Sequence, residues 1–307
     1  MKKHFNCPAC NKFNNKIYFK SVKKDLSFPN FNYLKCNCST IYVSNKNLNS
    51  KKLEKLHQLN WHKNNKFKFS EKKDRNKIIN NWYKKYKKLN LNKNSKALDI
   101  GCGDGLFCYT LKKMGFKKIY GFDTDIKVIK SLQKEKGKDL NFFCDNFGNF
   151  DKNKNIKNIK FDYVFLHGVL EHSYEPQKLM NKIKNIINKN TKIFIFVPNG
   201  ETLQMDLLKA YNWTSFAPYH RTLFSAQGLG IFLKKLKFKK IKFIEDRSKS
   251  WGWTRGISWK LKQEKDYTNL RKSKKFRNFD FLIDNLLEDI SISMQKMPFL
   301  FLQTSLK

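Results

Sequence analysis

The sequence predicts an α/β fold in which a mainly parallel sheet carries helices on both faces. Helix and strand patterns alternate from residue 71 onward, which is typical of this class. A short apolar strand pattern at residues 97–100 leads into a turn with three glycines and then into a helix pattern. Two close pairs of cysteines come before this domain. We therefore expect a head at residues 1–50, a linker at 51–70 and the α/β domain at 71–307.

Length and charge restrict the class of protein. The chain has 307 residues and a formal net charge of +39, and this length suits one large domain plus a smaller segment. The surplus of lysine has two explanations that stay open. One is a polyanionic partner such as RNA, and the other is a codon bias, since Lys, Asn, Ile and Phe are all abundant. The positive field attracts anionic substrates in either case.

The distribution of apolar residues along the sequence predicts the cellular compartment of the protein. The sequence contains no run of about 18 apolar residues, so we expect no transmembrane helix. Residues 1–8 lack an apolar signal segment. A cytoplasmic protein is therefore expected, in which thiols stay reduced. The seven cysteines then indicate metal ligands or isolated thiols, and not a disulfide framework.

The head is predicted to bind zinc. Cys7 and Cys10 form a Cys-x-x-Cys pair, and Cys36 and Cys38 follow two strand-like stretches. Four thiolates match the tetrahedral coordination of structural zinc, and the metal would supply folding energy that so small a segment lacks. The alternative is a set of reduced, packed cysteines. Three histidines are substitute ligands in principle: His4, His57 and His62.

The α/β domain is predicted to contain seven strands. They are expected at residues 97–100, 118–122, 141–144, 161–166, 192–197, 239–245 and 299–304. Before the first strand, residues 74–89 carry aromatic and apolar side chains at helical spacing, so this helix either packs across the sheet or covers a ligand. Residues 246–297 form an insertion before the last strand. Its side chains suit stacking on a sugar or base, or equally a packed cap: Trp251, Trp253, Arg255 and Trp259.

The glycine turn carries the clearest functional meaning. Asp99 ends the first strand, and Gly101, Gly103 and Gly105 follow it. Glycine allows a ligand to approach the backbone closely and permits the positive φ that such turns need. The strand, turn and helix together bring backbone N–H groups against a ligand. A dinucleotide fingerprint would require a third glycine at position 106, where this chain has Leu106.

With Asp123 at the end of the second strand, this pattern resembles the first motif of class I methyltransferases that depend on S-adenosyl-L-methionine (SAM). Residues 161–199, which include Glu171 and His172, are similar to the fourth strand, helix and fifth strand of the quinone-biosynthesis-like methyltransferases. The cysteine segment resembles the zinc-ribbon head of small-molecule and sugar methyltransferases, although its second pair is Cys-x-Cys where the ribbon has Cys-x-x-Cys. The resemblance implies a Rossmann-like, seven-stranded sheet whose last strand is antiparallel.

The resemblance also implies a SAM site at the carboxyl ends of the first strands. Asp99 and the glycine turn would line it. The carboxylate of Asp123 is expected to accept hydrogen bonds from both ribose hydroxyls, the alternative being an N-cap for the next helix. Asp145 is expected to accept the adenine amino group, with the N–H of Asn146 beside it, the alternative being a surface turn. His167 is expected to contact the cofactor.

Two histidines are candidates for a general base. Zinc-ribbon methyltransferases have a similar histidine, followed by an aromatic-Ser segment, that faces the substrate, and His220 is the matching residue. A histidine beside a pocket titrates near neutral pH and can take a proton from a hydroxyl or a carbon acid. His172 is the second candidate, and Tyr219 is the third catalytic candidate. The alternatives are a His220 bonded to its own loop and a Glu171–His172 pair that only fixes the turn.

The resemblance implies an enzyme that transfers a methyl group from SAM to oxygen or carbon of a small molecule. We expect a nucleotide-linked or polysaccharide sugar, and RNA is the alternative acceptor. A module that only binds SAM, or has lost it, is a third hypothesis, which the intact Asp99, glycine turn and Asp123 disfavour. Residues 166–169 lack the Asn/Asp-Pro-Pro-aromatic loop of adenine amino-methyltransferases, so that reaction is not expected.

Overall fold

The structure is a computed structural model that describes residues 6–14, 16–22, 31–44, 72–135, 137, 139–215, 219–246, 248–249, 253–262 and 277–306. Several features of the sequence lie outside the described residues: His4, His57, His62, the predicted linker and Trp251. The side chains of Arg255 and Trp259 lie outside them too, so the stacking role of the insertion stays a prediction. None of the helices in these ranges is both long enough and apolar enough to cross a membrane.

The described strands, in chain order, are β1 (Ile17–Lys20), β2 (Asn32–Lys35), β3 (Ile41–Val43), β4 (Lys96–Ile100), β5 (Lys118–Asp123), β6 (Leu140–Cys144), β7 (Phe161–His167), β8 (Ile187–Pro198), β9 (Thr222–Leu223), β10 (Lys239–Phe243) and β11 (Phe299–Ser305). The described α-helices are α1 (Lys72–Tyr86), α2 (Leu106–Lys113), α3 (Ile126–Glu135), α4 (Pro176–Asn185), α5 (Leu203–Leu208), α6 (Ala226–Lys235), α7 (Trp253–Lys262) and α8 (Arg277–Ser293).

Seven strands form the main sheet in the order β6–β5–β4–β7–β8–β11–β10. The pairs from β6 to β8 are parallel. Strand β11 is antiparallel to both β8 and β10, its neighbours. The prediction of a Rossmann-like sheet whose last strand is antiparallel is therefore confirmed. Because the parallel strands all end at one edge, the residues after β4, β5, β6 and β7 share that edge, where open α/β sheets bind ligands.

The predicted strands agree with the structure except at some ends. Strand β8 begins at Ile187, whereas the sequence predicted its start at residue 192. The pairing of β8 with β7 is irregular between Ile187 and Lys192. Thr191 closes this bulge, since its Oγ1 donates to the carbonyl of Phe161 at 2.6 Å and accepts the N–H of Asn188 at 2.9 Å. Strand β10 ends at Phe243, two residues before the predicted end. Strand β9 and helices α5 and α7 were not predicted.

The cysteine segment joins the α/β domain through a second sheet of order β1–β2–β3–β9. Strand β9 lies between α5 and α6 in the chain and pairs with β3, with Ile41 opposite Leu223. Helix α6 begins at the same place, because Ser225 is its N-cap and its side chain accepts the N–H of Gly228. The Ser225 hydroxyl also donates to the carbonyl of Cys38. The two sheets are thus connected by direct backbone and side-chain contacts.

Aromatic side chains fill the face of the main sheet under α1. Phe165 of β7 and Phe194 of β8 stack with their ring centroids 5.2 Å apart. Tyr86, the last residue of α1, is fully buried and lies edge-on to both rings. Full burial of a side chain of this size contributes about 1.5–3 kcal/mol. Helix α1 is therefore anchored on the sheet beside the ends of β4 and β7.

Candidate cofactor and acceptor site

The glycine turn between β4 and α2 forms a cradle at the carboxyl edge of the sheet. Gly101, Gly103 and Gly105 have φ angles of +71°, +50° and +77°, a region that glycine adopts without steric cost. A Cβ at Gly101 would lie 2.6 Å from a methyl group of Val169. A Cβ at Gly103 would have no atom of the described residues within 4 Å. The turn is packed on one side and open on the other, which fits a ligand lying against Gly103.

Asp123, at the end of β5, is bonded to this turn. Its Oδ2 accepts the N–H of Gly103 at 2.9 Å, and its Oδ1 accepts the N–H of Asp125 at 3.0 Å. A carboxylate oxygen has two lone pairs, so each can also accept a ribose hydroxyl. Burial raises the pKa of Asp123 above its ordinary value. The cap of α3 is Asp125, whose Oδ1 accepts the N–H groups of Lys127 and Val128, so Asp123 is not an N-cap.

Asp145 and Asn146 follow β6 and lie next to Asp123. The N–H of Asp145 donates to the carbonyl of Asp123 at 3.3 Å. The Asp145 carboxylate accepts the N–H of Asn146 and the side-chain amide of Asn153, both at 2.8 Å. The Asn146 N–H that the resemblance directs at adenine is therefore used within the chain. The adenine contacts of both residues stay predictions.

Asp99, His167 and Tyr86 form a buried polar group beside the cradle. Nδ1 of His167 is 3.8 Å from Oδ1 of Asp99, and the Tyr86 hydroxyl is 2.6 Å from Nε2 of the same ring. Burial, with a smaller effect of the Lys85 charge, lowers the pKa of His167 to about 3. Burial also raises the pKa of Tyr86 well above its ordinary value. Tyr86 therefore donates to a neutral imidazole, which keeps its proton on Nδ1, facing Asp99.

Asp99 has the surroundings that favour a cationic ligand. It is 2% exposed, and burial, followed by the charge of Asp123, raises its pKa well above the ordinary value. A positive charge placed nearby would favour the ionised carboxylate. SAM carries such charges on its sulfonium and its amino group, so the acidic residues and the open side of Gly103 fit this cofactor.

Helix α1 lies over this group as an aromatic wall. The ring of Trp82 is 4.6 Å from His167 and 5.7 Å from Phe107, measured between centroids. The ammonium of Lys85 lies 4.3 Å from the centre of the Phe196 ring and 2.9 Å from Oδ1 of Asp246. The helix packs on the sheet and also touches a predicted cofactor residue. The two interpretations of this helix, packing and covering, are thus compatible.

A second polar cluster, which we call the acceptor cluster, consists of Glu171, His172 and His220. The two imidazole centroids are 4.7 Å apart, and Nε2 of His172 is 3.9 Å from Oε1 of Glu171. Nδ1 of His172 lies 3.0 Å from the carbonyl oxygen of Tyr219, and Nδ1 of His220 lies 2.8 Å from that of Thr214. A carbonyl oxygen only accepts, so each ring carries a proton on Nδ1, and the neutral form of each ring has its lone pair on Nε2.

Backbone contacts hold the two segments of the acceptor cluster together. The carbonyl of Glu171 accepts the N–H groups of Arg221 at 2.8 Å and Thr222 at 3.2 Å. Glu171 is 2% exposed, and burial raises its pKa to about 8. Tyr219 has a buried side chain, and its carbonyl orients His172. The contact seen for Tyr219 is a positioning one, and its catalytic role stays a prediction.

The four cysteines of the head lie together and are buried. The sulfur atoms of Cys7 and Cys38 are 3.7 Å apart, and those of Cys10 and Cys36 are 3.3 Å apart. All four sulfur atoms lie within 4.8 Å of one another. Zinc–sulfur bonds of about 2.3 Å in a tetrahedron place the sulfur atoms about 3.8 Å apart. The donor set therefore fits a tetrahedral zinc ion, and the Cys-x-Cys spacing does not prevent convergence.

The structural roles of three residues in this region were not predicted from the sequence. Tyr86 was recognised as part of an amphipathic helix, but no local signal indicated its bond to His167. Tyr33 donates from its hydroxyl to the carbonyl of His220 at 3.1 Å, across 187 residues of sequence. Glu171 was assigned only to the turn. Each contact depends on tertiary pairing, which residue spacing does not encode.

Comparisons with known proteins identify the family of the chain. Residues 70–242, more than half of the chain, match the family model Methyltransf_23, described as a methyltransferase domain. The tRNA U34 carboxymethyltransferase of Campylobacter fetus subsp. fetus (strain 82-40) is 25% identical over 186 residues, which cover 56% of this chain and 60% of the relative. That of Campylobacter curvus (strain 525.92) is 24% identical over 249 residues, which cover 74% and 78%. The chain spans 60%, 43% and 51% of the first three such relatives.

Solved structures with a similar fold include a SAM-dependent methyltransferase from Archaeoglobus fulgidus, with 16% identity, a TM-score of 0.48 and coverage of 74% of this chain and 94% of that one. Magnesium protoporphyrin IX methyltransferase from Synechocystis PCC 6803, solved with bound SAH, has 16% identity, a TM-score of 0.42 and coverage of 56% and 77%. The family model and the sheet order together show that the chain belongs to the class I SAM-dependent methyltransferases.

Proposed function

We propose that this protein transfers the methyl group of SAM to an oxygen or carbon atom of a small molecule, with a nucleotide-linked or polysaccharide sugar as the acceptor. The acceptor cluster carries the proposal. Glu171 and His172 come directly after β7, the strand that ends in His167 beside the cradle. In their neutral forms the two imidazoles would offer Nε2 as a proton acceptor, and an oxygen or carbon acid needs one.

The proposed cofactor site uses the chain's own groups for binding and orientation. Asp123 would accept the ribose hydroxyls, the turn from Gly101 to Gly105 would lie against the nucleoside, and Asp99 would face positive charge. The methyl group of SAM is already activated by the sulfonium. Positioning the nucleophile in line and excluding water then supply most of the acceleration. The aromatic wall of α1 would exclude water, and Nε2 of His220 would take the proton, with His172 beside it.

The cysteine cluster is proposed to hold a structural zinc ion. Its four sulfur atoms are buried and converge, and the sheet they support pairs with β9, next to His220. The metal would fix the head, and the head would fix the acceptor side of the site. This role is structural, because four cysteine ligands leave no open coordination position on zinc.

RNA is the second candidate acceptor. It is favoured by the net charge of +39 and by the relatives, whose names describe transfer of a carboxymethyl group to tRNA at U34. If RNA is the acceptor, binding should weaken with salt with a slope that corresponds to several phosphate contacts. Weak binding that disappears near physiological salt would leave the small-molecule proposal in place.

Transfer of labelled methyl groups from SAM tests the proposal. A panel of nucleotide sugars and polysaccharide fractions is assayed beside total tRNA. Label in a sugar fraction, lost in Asp123→Ala, is the expected result. Asp162→Asn is the control, because Asp162 lies at the opposite end of β7 and bonds only to the N–H of Lys96 in the described structure. Label that enters tRNA alone would replace the proposal by the second candidate.

A further inference from the structure

We propose that the acceptor cluster is a metal site, in which Glu171, His172 and His220 bind one divalent first-row transition-metal ion. The three side chains offer one carboxylate oxygen and two imidazole nitrogens, and these atoms lie within 4.8 Å of one another. Metal bonds of about 2.0–2.2 Å bring such ligand atoms to roughly 3–4 Å apart. Small side-chain rotations are therefore enough to close the set around an ion.

The carboxylate of Glu171 supplies an independent observation. The side chain is 98% buried, being 2% exposed, and its Oε2 has no hydrogen-bond partner among the described residues. A buried carboxylate oxygen without a donor costs free energy unless a cation compensates it. Among the described residues, no lysine or arginine forms an ion pair with Glu171. Its basic neighbour is His172, whose Nε2 lies 3.9 Å from Oε1 of Glu171. A metal ion at the cluster would give this buried oxygen the partner that it lacks among the described residues.

The orientation of the imidazoles is that of metal ligands. Each histidine places Nδ1 at hydrogen-bond distance from a carbonyl oxygen, that of Tyr219 for His172 and that of Thr214 for His220. Histidines that bind metals almost always donate their second ring N–H to a carbonyl or carboxylate, which fixes the tautomer and directs the other nitrogen at the ion. Both rings of the cluster meet this condition from separate stretches of the chain.

The chemical types of the three ligands restrict which metal ions the site can bind. Two imidazoles and one carboxylate suit manganese, iron, cobalt or zinc, whereas magnesium and calcium prefer all-oxygen sites. Three protein ligands leave coordination positions open, as in catalytic metal sites. The cluster differs in this respect from the four cysteines, whose thiolates select zinc and leave no position free.

An open position gives the site a role that rests on the proposed function. A hydroxyl of the acceptor bound to the ion would have a lowered pKa and would release its proton to solvent water. The alkoxide oxygen would then form a bond with the methyl carbon of SAM, as the bond from that carbon to sulfur breaks and its electron pair stays on sulfur. The metal would replace a histidine base in activating the acceptor.

Binding of Mn²⁺ alone, followed by electron paramagnetic resonance on the full chain, tests the site without any acceptor. Mn²⁺ is chosen because thiolates bind it poorly, so the cysteine cluster does not contribute. We expect one bound Mn²⁺ per chain, and affinity lowered at least tenfold in Glu171→Gln and in His220→Gln. The control is Glu175→Gln, which removes an exposed carboxylate from the same turn and should leave Mn²⁺ binding unchanged.

SAM affinity, measured by calorimetry, shows whether each variant is folded. If Glu171→Gln loses SAM binding as well, the His220→Gln variant tests the site, because His220 is only half-buried. No stoichiometric Mn²⁺ binding by the natural chain would overturn the metal site, as would binding that both variants retain. Because neither readout involves an acceptor, such a result leaves the proposed methyl transfer intact. Conversely, Mn²⁺ binding by a chain that transfers no methyl group would refute the transfer and keep the site.

Discussion

The cradle and the acceptor cluster lie along one edge of the same sheet, but the chain builds them differently. The cradle residues Asp99, Gly103 and Asp123 come from two adjacent strands, β4 and β5, and from the turn that follows β4. The acceptor cluster joins the turn after β7 to His220, and the segment of His220 is in turn bonded to the cysteine sheet through Tyr33 and β9. The cradle should therefore keep its geometry when the head is disrupted. The acceptor cluster depends on three segments of the chain and should lose its geometry.

Disruption of the cysteine cluster should distinguish the cradle from the acceptor cluster most strongly. Cys38→Ser removes one of four proposed zinc ligands, and structural zinc contributes several kcal/mol to folding. We expect zinc loss and a fall in methyl transfer of at least 100-fold, about 2.7 kcal/mol of barrier. SAM affinity should stay within about threefold, because β4, its glycine turn and β5 make no described hydrogen bond to the head. Metal analysis, calorimetry and turnover measure these three effects.

Cys144→Ser is the control for this experiment, since Cys144 is a thiol of β6 outside the cluster. It should keep its zinc. Equal losses of SAM affinity and of transfer in Cys38→Ser would contradict the division into a local and an assembled site.

Gly103→Leu should damage the cradle alone. A Cβ at this position has no described atom within 4 Å, so a leucine side chain should enter the space proposed for the cofactor. A positive φ costs a residue other than glycine about 1–2 kcal/mol, which the fold should tolerate. We expect SAM affinity to fall about 100-fold, or about 2.7 kcal/mol. Gly230→Leu in α6, another position with open space, should not change it. Calorimetry that finds equal SAM affinity in both variants would place the cofactor elsewhere.

His167 should make the stability of the cradle depend on pH. Its folded pKa is lowered to about 3, against about 6.5 in the unfolded chain. Between these values the unfolded state binds a proton that the folded state does not, so stability rises with pH. From pH 6 to pH 4, the natural chain should lose about 2–3 kcal/mol more of its free energy of unfolding than His167→Gln does. Urea titrations at both pH values measure the difference, and parallel losses would show that His167 is not held neutral.

Tyr33→Phe should give the smallest effect, on the acceptor side only. It removes the hydrogen bond to the carbonyl of His220 and keeps the ring that stacks on Phe19 at 4.7 Å. A single hydrogen bond contributes about 1 kcal/mol, so methyl transfer should fall by up to about fivefold while SAM affinity is unchanged. Tyr18→Phe removes a hydroxyl of the same sheet that bonds to Asp206 and should not reduce transfer. A matching decrease in both variants would indicate a general loss of stability.

The difference between a locally built cradle and an acceptor cluster assembled from distant segments explains which features could be predicted from the sequence. The strands, the glycine turn and Asp123 were predictable, because strand, turn and helix are contiguous and the glycines mark positive φ. The pairing of β3 with β9 was not, since a two-residue strand has no periodicity to detect. The burial of Glu171 also depends on tertiary packing. Convergence of the four cysteines was predictable from their number and pairing, although its link to His220 was not.

A crystal structure of the chain with S-adenosylhomocysteine would show directly whether the cofactor lies against the glycine turn. We expect both ribose hydroxyls to bond to the carboxylate of Asp123, the nucleoside to lie against the open side of Gly103, and the sulfur to face His167 and the acceptor cluster. A ligand whose ribose contacts neither Asp123 nor the glycine turn, or whose sulfur points away from His172 and His220, would contradict this expectation.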